Sequence, residues 1–284
     1  MNLREPCLPR GWYPREKAVI EEFLAPFKKR PLEKGGFANE GPSAAAAIAP
    51  HAGWYYSGVP AAIAVSSLDR EAETVALIGG HLPPGAPIRL AGEDGVKTPF
   101  GIMKIDRELR EEFKSQSAAG AVPDRGQDNT VEVLLPMVHC FFPRAELLWL
   151  RFPQEFSSYE AGKLLAKSAA KLKKRIVVIG STDLTHYGEN YGFSPKGRGK
   201  IALDWVKNVN DAAFIKAILS GDPLRVLKHA GEDFAACSAG AVLGALGFAG
   251  KAKARLLDYR TSADIPAGGE TPDSFVGYTA ISFV

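Results

Sequence analysis

Three of the chain's five histidines follow short apolar segments that are typical of buried strands. His51 comes after AAAAIAP and His81 after TVALIGG, while RIVVIGST leads into Asp183 and His186. In an open α/β sheet, ligands bind beyond the carboxyl ends of the strands. Imidazoles and a carboxylate delivered to one sheet edge from separate segments are the usual material of a metal site or an acid–base site. We therefore expect these side chains to share a cavity.

The segment STDLTHYG carries the strongest local signal. Asp183 and His186 are three residues apart directly after a buried strand, so a helical turn would let both face one cavity. The carboxylate would then orient the ring or raise its pKa and make it a better base. The alternative is structural, with Ser181 or Thr182 capping a helix that has Asp183 in its first turn.

Cys237 lies in DFAACSAGAV, at the predicted start of a small-residue helix. A helix N-terminus favours the thiolate, which is the form that attacks electrophiles and binds metals. The alternative is a small buried apolar residue, as we expect for Cys7 and Cys140.

Composition excludes several classes of protein. The chain has 284 residues, of which 46% are hydrophobic, and its net charge is only +3, so a nucleic-acid partner is not expected. It has no apolar run long enough for a membrane span and no signal-peptide pattern. Three scattered cysteines argue against a disulfide framework. We therefore predict a cytoplasmic protein without membrane association.

Alternating strand and helix patterns predict one α/β domain over residues 1–284, with a mostly parallel or mixed central sheet between two helical layers. Predicted strands cover 45–49, 74–78, 146–152 and 175–179, with two more in the last 31 residues; predicted helices cover 16–27, 60–68, 159–172 and 203–219, and a loop covers 33–43.

The order of the motifs RGWYP, PHAGWYYSG, IGGH, TPFGIMKID, NTVEVLLP, STDLTHYG, AACSAGA, DYRTSAD and VGYTAISF resembles the MEMO family, which includes the AmmeMemoRadiSam system protein B members. The resemblance runs from about residue 4 to the end of the chain, and the PHAG and STDLTH pieces are its most specific parts. It implies a three-layer αβα fold similar to that of class III extradiol dioxygenases, which use nonheme iron(II).

The resemblance also implies a metal pocket made by His51, His81 and Cys237, with Asp183 and His186 lining the same cavity. Two imidazoles and a thiolate suit a divalent transition metal; Cu or Zn would satisfy them, and the dioxygenase resemblance favours Fe(II). Many members have a histidine within a Glu/Asp-His-Ser-x-Glu stretch, where this chain has Asn129 in DNTVE. An amide cannot titrate near neutrality, so this departure removes one acid–base group.

The sequence leaves three functions open. The leading one is a metal-dependent, dioxygenase-like oxidoreductase in which His51, His81 and Cys237 hold the metal and His186, positioned by Asp183, acts as base or as a further ligand. The second is a non-catalytic binding or scaffold module for a small molecule, a peptide, or AMMECR-type and radical-SAM partners, as the resemblance implies. The third is a cysteine hydrolase that uses Cys237, His186 and Asp183 as a triad.

Overall fold

A computed structural model describes residues 1–28, 43–117, 120–265 and 271–284. Its strands there are β1 (Leu3–Arg4), β2 (Ala46–Ala49), β3 (Thr74–Leu82), β4 (Ile88–Leu90), β5 (Gly95–Thr98), β6 (Gly101–Lys104), β7 (Ala121–Pro123), β8 (Glu146–Pro153), β9 (Ile176–Ser181), β10 (His186–Tyr187), β11 (Ala254–Thr261) and β12 (Phe275–Phe283). Its helices there are α1 (Lys17–Lys28), α2 (Trp54–Ser66), α3 (Arg107–Gln116), α4 (Asn129–Glu132), α5 (Leu135–Phe141), α6 (Ser157–Leu172), α7 (Gly199–Trp205), α8 (Asp211–Leu219), α9 (Pro223–Glu232) and α10 (Ala239–Ala249).

In the described ranges, one mixed sheet of nine strands organises the fold. Its order is β10–β12–β2–β9–β3–β8–β4–β7, and β11 also pairs with β12. The four strands β2, β9, β3 and β8 are parallel neighbours. Their carboxyl ends therefore lie along one edge of the sheet, which is where ligand sites of α/β proteins form.

Both faces of this parallel core are buried, which explains why its strands are continuous apolar runs. Along β3, for example, Val75 and Leu77 face one hydrophobic cluster while Ala76 and Ile78 face the other. Helix α2 packs against β2 and β12, with α1 and α5 beside it. Helices α6 and α10 pack together on the opposite cluster, where α10 contacts all four parallel strands. The prediction of a three-layer α/β fold with a mixed sheet is confirmed.

Two helices differ from the sequence prediction. Helix α2 begins at Trp54 and contains Pro60, whereas the pattern predicted a start near that proline. The helix predicted over 203–219 begins at Gly199 and includes a π-helical turn over Val206–Asn210 between α7 and α8. Such turns insert one extra residue and often occur near functional sites.

The loop predicted over 33–43 lies outside the described residues, apart from Ser43. In the described ranges, every helix is too short or too polar to cross a lipid bilayer.

Candidate metal centre and adjoining cavity

Three side chains from distant parts of the chain meet at the carboxyl edge of the sheet. His51 follows β2, His81 lies at the end of β3, and Cys237 precedes α10. One potential ligand atom of each lies within 4.8 Å of the other two. Two ring nitrogens and a sulfur at this spacing form a donor set that can hold a transition-metal ion.

The His51 ring is buried and held from both sides. Its Nδ1 lies 2.9 Å from Ser181 Oγ, which leaves Nε2 facing Cys237 Sγ at 3.3 Å. Its backbone N donates to Asp183 Oδ1 at 2.7 Å. Ser181, at the end of β9, holds the ring, and Asp183, just after that strand, holds the backbone. The Nε2 atom therefore keeps its direction toward the centre of the donor set.

His81 is oriented by a carboxylate. Its Nδ1 lies 3.1 Å from Asp128 Oδ2, an oxygen that also accepts from Arg151 Nη2 at 3.1 Å. Burial alone would raise the pKa of Asp128, but contacts with His81, Thr130 and Arg151 lower it to about 2. A carboxylate on the distal nitrogen of a metal-binding histidine is a recurrent device that fixes the tautomer and ring orientation.

The backbone around His81 is unusual. His81 has a φ of +56°, a left-handed conformation that non-glycine residues rarely adopt. The two glycines before it allow close packing. A Cβ at Gly79 would lie 2.1 Å from Thr130 Oγ1, and one at Gly80 would lie 2.4 Å from Ser238 Cβ. The IGGH motif therefore lets the end of β3 contact both α4 and the segment that carries Cys237.

The thiol of Cys237 is half-buried between the two imidazoles and the loop that follows β9, residues 182–185, which we call the β9 loop. Its Sγ lies 3.6 Å from Asp183 O, and its backbone N donates to the same oxygen at 3.3 Å. Burial alone would raise the pKa of Cys237, but His51 and His81 lower it well below its usual value. The sequence prediction credited the N-terminus of a helix with this effect. Helix α10 begins two residues later, and the neighbouring imidazoles are the cause.

The pKa values of the two imidazoles shift in the opposite direction, upward. Burial opposes protonation of both rings. Asp183 and Cys237 nevertheless raise the pKa of His51, and Asp128 and Cys237 raise that of His81 to about 10. Without a metal, the donor set therefore favours a thiolate beside imidazolium. A metal must displace protons from the histidines, so its affinity should fall as the pH drops.

Asp183 and His186 lie close by but are not bonded as the spacing predicted. Residues 182–185 do not form a helical turn, and His186 pairs with β12 in an antiparallel bridge. Its Nδ1 donates to Leu184 O at 3.1 Å, so the main chain orients the ring. Asp183 is buried and its carboxylate holds His51 N instead. Burial raises the pKa of Asp183, although the charge of His51 opposes this.

A cavity of about 580 Å³ lies next to the candidate metal centre. Asp183 and His186 line it together, as the sequence predicted, and so do Ala52, which follows His51, and Asn129, which bonds His51 O. His51, His81 and Cys237 themselves are not among its lining residues. Its other walls are largely aromatic and polar: Arg10, Gly11, Trp12, Gly53, Tyr55, Tyr56, Asn190, Tyr191, Ser262, Ser274, Val276 and Tyr278. Clefts of this size with aromatic walls and a few polar groups are typical of small-ligand sites.

Comparison with known proteins gives the family. A family model for Memo-like proteins matches residues 4–282. This chain belongs to the Memo-like family. A MEMO1 family protein of Pyrococcus abyssi is 29% identical, with 98% of each chain covered. Another, from Methanosarcina mazei, is 29% identical with 99% of each chain covered.

A likeness among solved structures concerns the fold alone. The crystal structure of an uncharacterized protein from Escherichia coli K12 matches with a TM-score of 0.52 at 13% identity. The match covers 83% of this chain and 98% of that one.

In this Memo-like chain, the segment 128–132 supports the site in a way that the motif reading missed. Asp128 caps α4 and holds His81, and Asn129 Nδ2 donates to His51 O at 3.0 Å. Thr130 Oγ1 accepts from Gly80 N at 3.2 Å. Asn129 therefore has a structural contact with a donor residue. The available sequence signal was Asp128 itself, since Asp is a common N-cap residue.

A second support lies beneath the β9 loop of this Memo-like chain. Asp211 follows the π-helical turn, and its Oδ1 accepts from Thr185 N at 3.1 Å while Oδ2 accepts from Tyr259 OH at 2.8 Å. Asn210 Nδ2 donates to Thr185 Oγ1 at 2.9 Å. Burial raises the pKa of Asp211 to about 6, although bonds from Thr185 and Tyr259 oppose this. Asn210 and Asp211, at the end of the turn and directly after it, thus support the loop between Asp183 and His186, a role without a local sequence signal.

Proposed function

We propose that this Memo-like protein is a metal-dependent oxidoreductase of the nonheme, dioxygenase-like kind. His51, His81 and Cys237 would hold a divalent transition metal, with Fe(II) as the leading candidate and Cu or Zn satisfying the same donors. The observation that carries the proposal is the spacing of these donors, within 4.8 Å of one another, beside a cavity large enough for a small organic molecule. The support given to each ring, by Ser181 at His51 and by Asp128 at His81, suits metal ligation.

The metal would supply Lewis-acid and redox chemistry. The chain's own groups then bind the substrate and move protons. His186 donates its Nδ1 proton to Leu184 O, so the neutral ring carries its lone pair on Nε2. That nitrogen is the acceptor for a substrate hydroxyl proton in the cavity. Asp183 keeps His51 in place through the backbone N and contributes a buried carboxyl group to the same cavity.

The experiment that tests this function separates metal binding from turnover. The protein is first loaded with iron under anaerobic conditions. Oxygen is then admitted, and its consumption is measured with catechol-type compounds. We expect His186→Ala to keep the metal and to lose about 10²–10⁴-fold in turnover, the usual contribution of a general base. His229→Ala is the control, because that ring, on α9, is bonded to Asp233 just after the helix and does not line the cavity. Metal-loaded protein that consumes no oxygen with any compound would contradict the oxidoreductase reading.

One observation favours a second candidate, the cysteine hydrolase. The Cys237 thiol has a lowered pKa and an imidazole 3.3 Å away, as an activated nucleophile requires. Its partner is His51 and not the predicted His186, and the group at His51 Nδ1 is a serine hydroxyl. Hydrolysis of activated esters by metal-free protein, abolished by Cys237→Ser and inhibited by added zinc, would favour this candidate over the oxidoreductase.

A further inference from the structure

A short N-terminal segment, residues 7–13, lines the cavity through Arg10, Gly11 and Trp12. We call it the N-terminal strap. Its anchor is Glu132, a buried carboxylate at the end of α4. Glu132 Oε2 accepts from Cys7 N at 2.8 Å, and Oε1 accepts from Leu8 N at 3.0 Å and Tyr13 OH at 2.9 Å. Both ends of the strap are thus held by one carboxylate.

The middle of the strap is held by the start of α2. Trp54 N donates to Trp12 O at 2.8 Å. This contact sets the strap beside Tyr55, and together Arg10, Gly11 and Tyr55 line two cavities of about 580 Å³ each. One is the cavity beside the metal centre, and the other lies on the far side of the strap. Arg10 therefore stands at the rim that the two cavities share.

Arg10 differs from the other charged groups around it. It is exposed, and it makes no side-chain hydrogen bond or ion pair with any residue that the structure describes. By contrast, Arg15 donates to Tyr13 OH and to Leu8 O and stacks on the Tyr13 ring. Arg10 is also the single Lys or Arg among the described residues that line the site cavity, and the one carboxylate there, Asp183, already accepts from His51.

The rest of the cavity favours a flat, apolar ligand. Tyr55 and Tyr56 meet edge to face with ring centroids 5.0 Å apart, and both are substantially exposed. Tyr191 and Tyr278 line the same cavity, and Tyr191 packs edge-on to the His186 ring at 5.0 Å. Aromatic side chains with exposed surface bind planar rings through stacking and edge contacts.

We propose that Arg10 is the anion-recognition residue of this cavity and that its ligand is a small aromatic carboxylate. The guanidinium matches a carboxylate with two parallel N–H donors, and the ring of the ligand lies among the tyrosines. The inference rests on the proposed function only in assigning the far end of the ligand to the metal side of the cavity.

The test compares two probes that differ in charge and little in shape, 3,4-dihydroxybenzoate and 3,4-dihydroxybenzamide. Their dissociation constants are measured by calorimetry on the full chain, both metal-free and loaded with redox-inert zinc, with the zinc content assayed in the same samples. We expect the carboxylate to bind about ten-fold more tightly than the amide in both states. Arg10→Gln should remove this preference and Arg10→Lys should keep part of it, since Lys offers charge without the fork. Arg225→Gln, a charge-matched change on α9 outside the cavity lining, should leave the preference unchanged.

The results separate this proposal from the metal function. Protein that fails to bind zinc but still prefers the carboxylate through Arg10 supports the recognition site and contradicts the metal centre. Protein that binds zinc but binds both probes equally, binds neither, or keeps its preference in Arg10→Gln overturns the proposal alone. Tighter binding of phenyl phosphate than of benzoate would also overturn it, because the anion would then belong to another class.

Discussion

The Oδ2 atom of Asp128 accepts a hydrogen bond from Nδ1 of His81 at 3.1 Å, across 47 residues of sequence. Asp128 also caps α4, so the start of one short helix sets the direction of a donor at the end of β3. His81 adopts a φ of +56°, and this carboxylate contact holds the ring of that strained residue.

Replacing Asp128 with Asn should weaken metal binding by about 10–100-fold, the usual effect of losing such a partner. An amide presents one acceptor oxygen where the carboxylate serves His81, Arg151 and Thr130. Zinc titration by calorimetry measures the change. Asp222→Asn is the matched control, because Asp222 caps α9 in the same way and does not contact the donor set. Equal zinc affinity in Asp128→Asn and wild type would show that the carboxylate does not support the site.

The reactivity of Cys237 in metal-free protein should persist to a lower pH than that of an ordinary thiol. The two imidazoles lower the pKa of Cys237 well below its usual value, so its thiolate is the last of the three to be protonated as the pH falls. Burial raises the pKa of Cys7 to about 11 and also raises that of Cys140, so both should react only in alkaline solution. Iodoacetamide labelling followed by peptide mass spectrometry resolves the three thiols. A labelling midpoint for Cys237 at or above that of an ordinary thiol would refute the thiolate–imidazolium arrangement.

Glu132→Gln should release the N-terminal strap. The amide cannot accept from all the donors that now bond the carboxylate, and hydrogen bonds to charged groups contribute about 1.5–3 kcal/mol each. We expect a loss of about 2–3 kcal/mol in unfolding free energy, measured in urea, and faster hydrogen exchange over residues 7–13. Glu160→Gln, an exposed change on α6, serves as the control. Unchanged exchange in the strap would mean that Glu132 does not anchor it.

Gly80→Ala should disturb the donor set from behind. The added Cβ would lie 2.4 Å from Ser238 Cβ and Oγ and 2.9 Å from its Cα, so Ser238 and the adjacent Cys237 must shift. Overpacking of this kind typically costs about 1–3 kcal/mol. Thermal unfolding and zinc titration should both show a loss. In Gly231→Ala, the nearest atom to the new Cβ is 3.9 Å away, so both properties should stay close to wild type. A Gly80→Ala protein with full stability and zinc affinity would contradict this packing.

The strands could be predicted because both faces of the parallel core are buried. The segment Ala46–Ala49 is buried throughout, and a continuous apolar run of this kind is typical of a parallel strand that is covered on both faces. The same strand ends led to His51 and His81, since the topology of the sheet fixes where those residues emerge. The π-helical turn could not be predicted, because Asn210 at its end and Asp211 directly after it bond to Thr185, a residue more than 20 positions earlier.

The supporting contacts of the site also depend on tertiary structure. Spacing suggested that Asp183 would orient His186, but the chain after β9 stays non-helical, and Asp183 holds His51 N across 132 residues. By sequence, Glu132 fits either a carboxylate in or behind the pocket or a helix-surface charge; it is buried and bonded to the strap. Neither arrangement has a local pattern, since each needs two segments that meet only in the folded protein.

X-ray absorption at the metal K-edge of zinc- or iron-loaded protein tests the central claim most directly. The account predicts one sulfur ligand, at about 2.3 Å for zinc, together with two imidazole nitrogens. Cys237→Ser should remove the sulfur contribution, whereas Cys7→Ser should leave it in place. A spectrum with only oxygen and nitrogen ligands in wild type, or a sulfur ligand that survives Cys237→Ser, would contradict a metal centre formed by His51, His81 and Cys237.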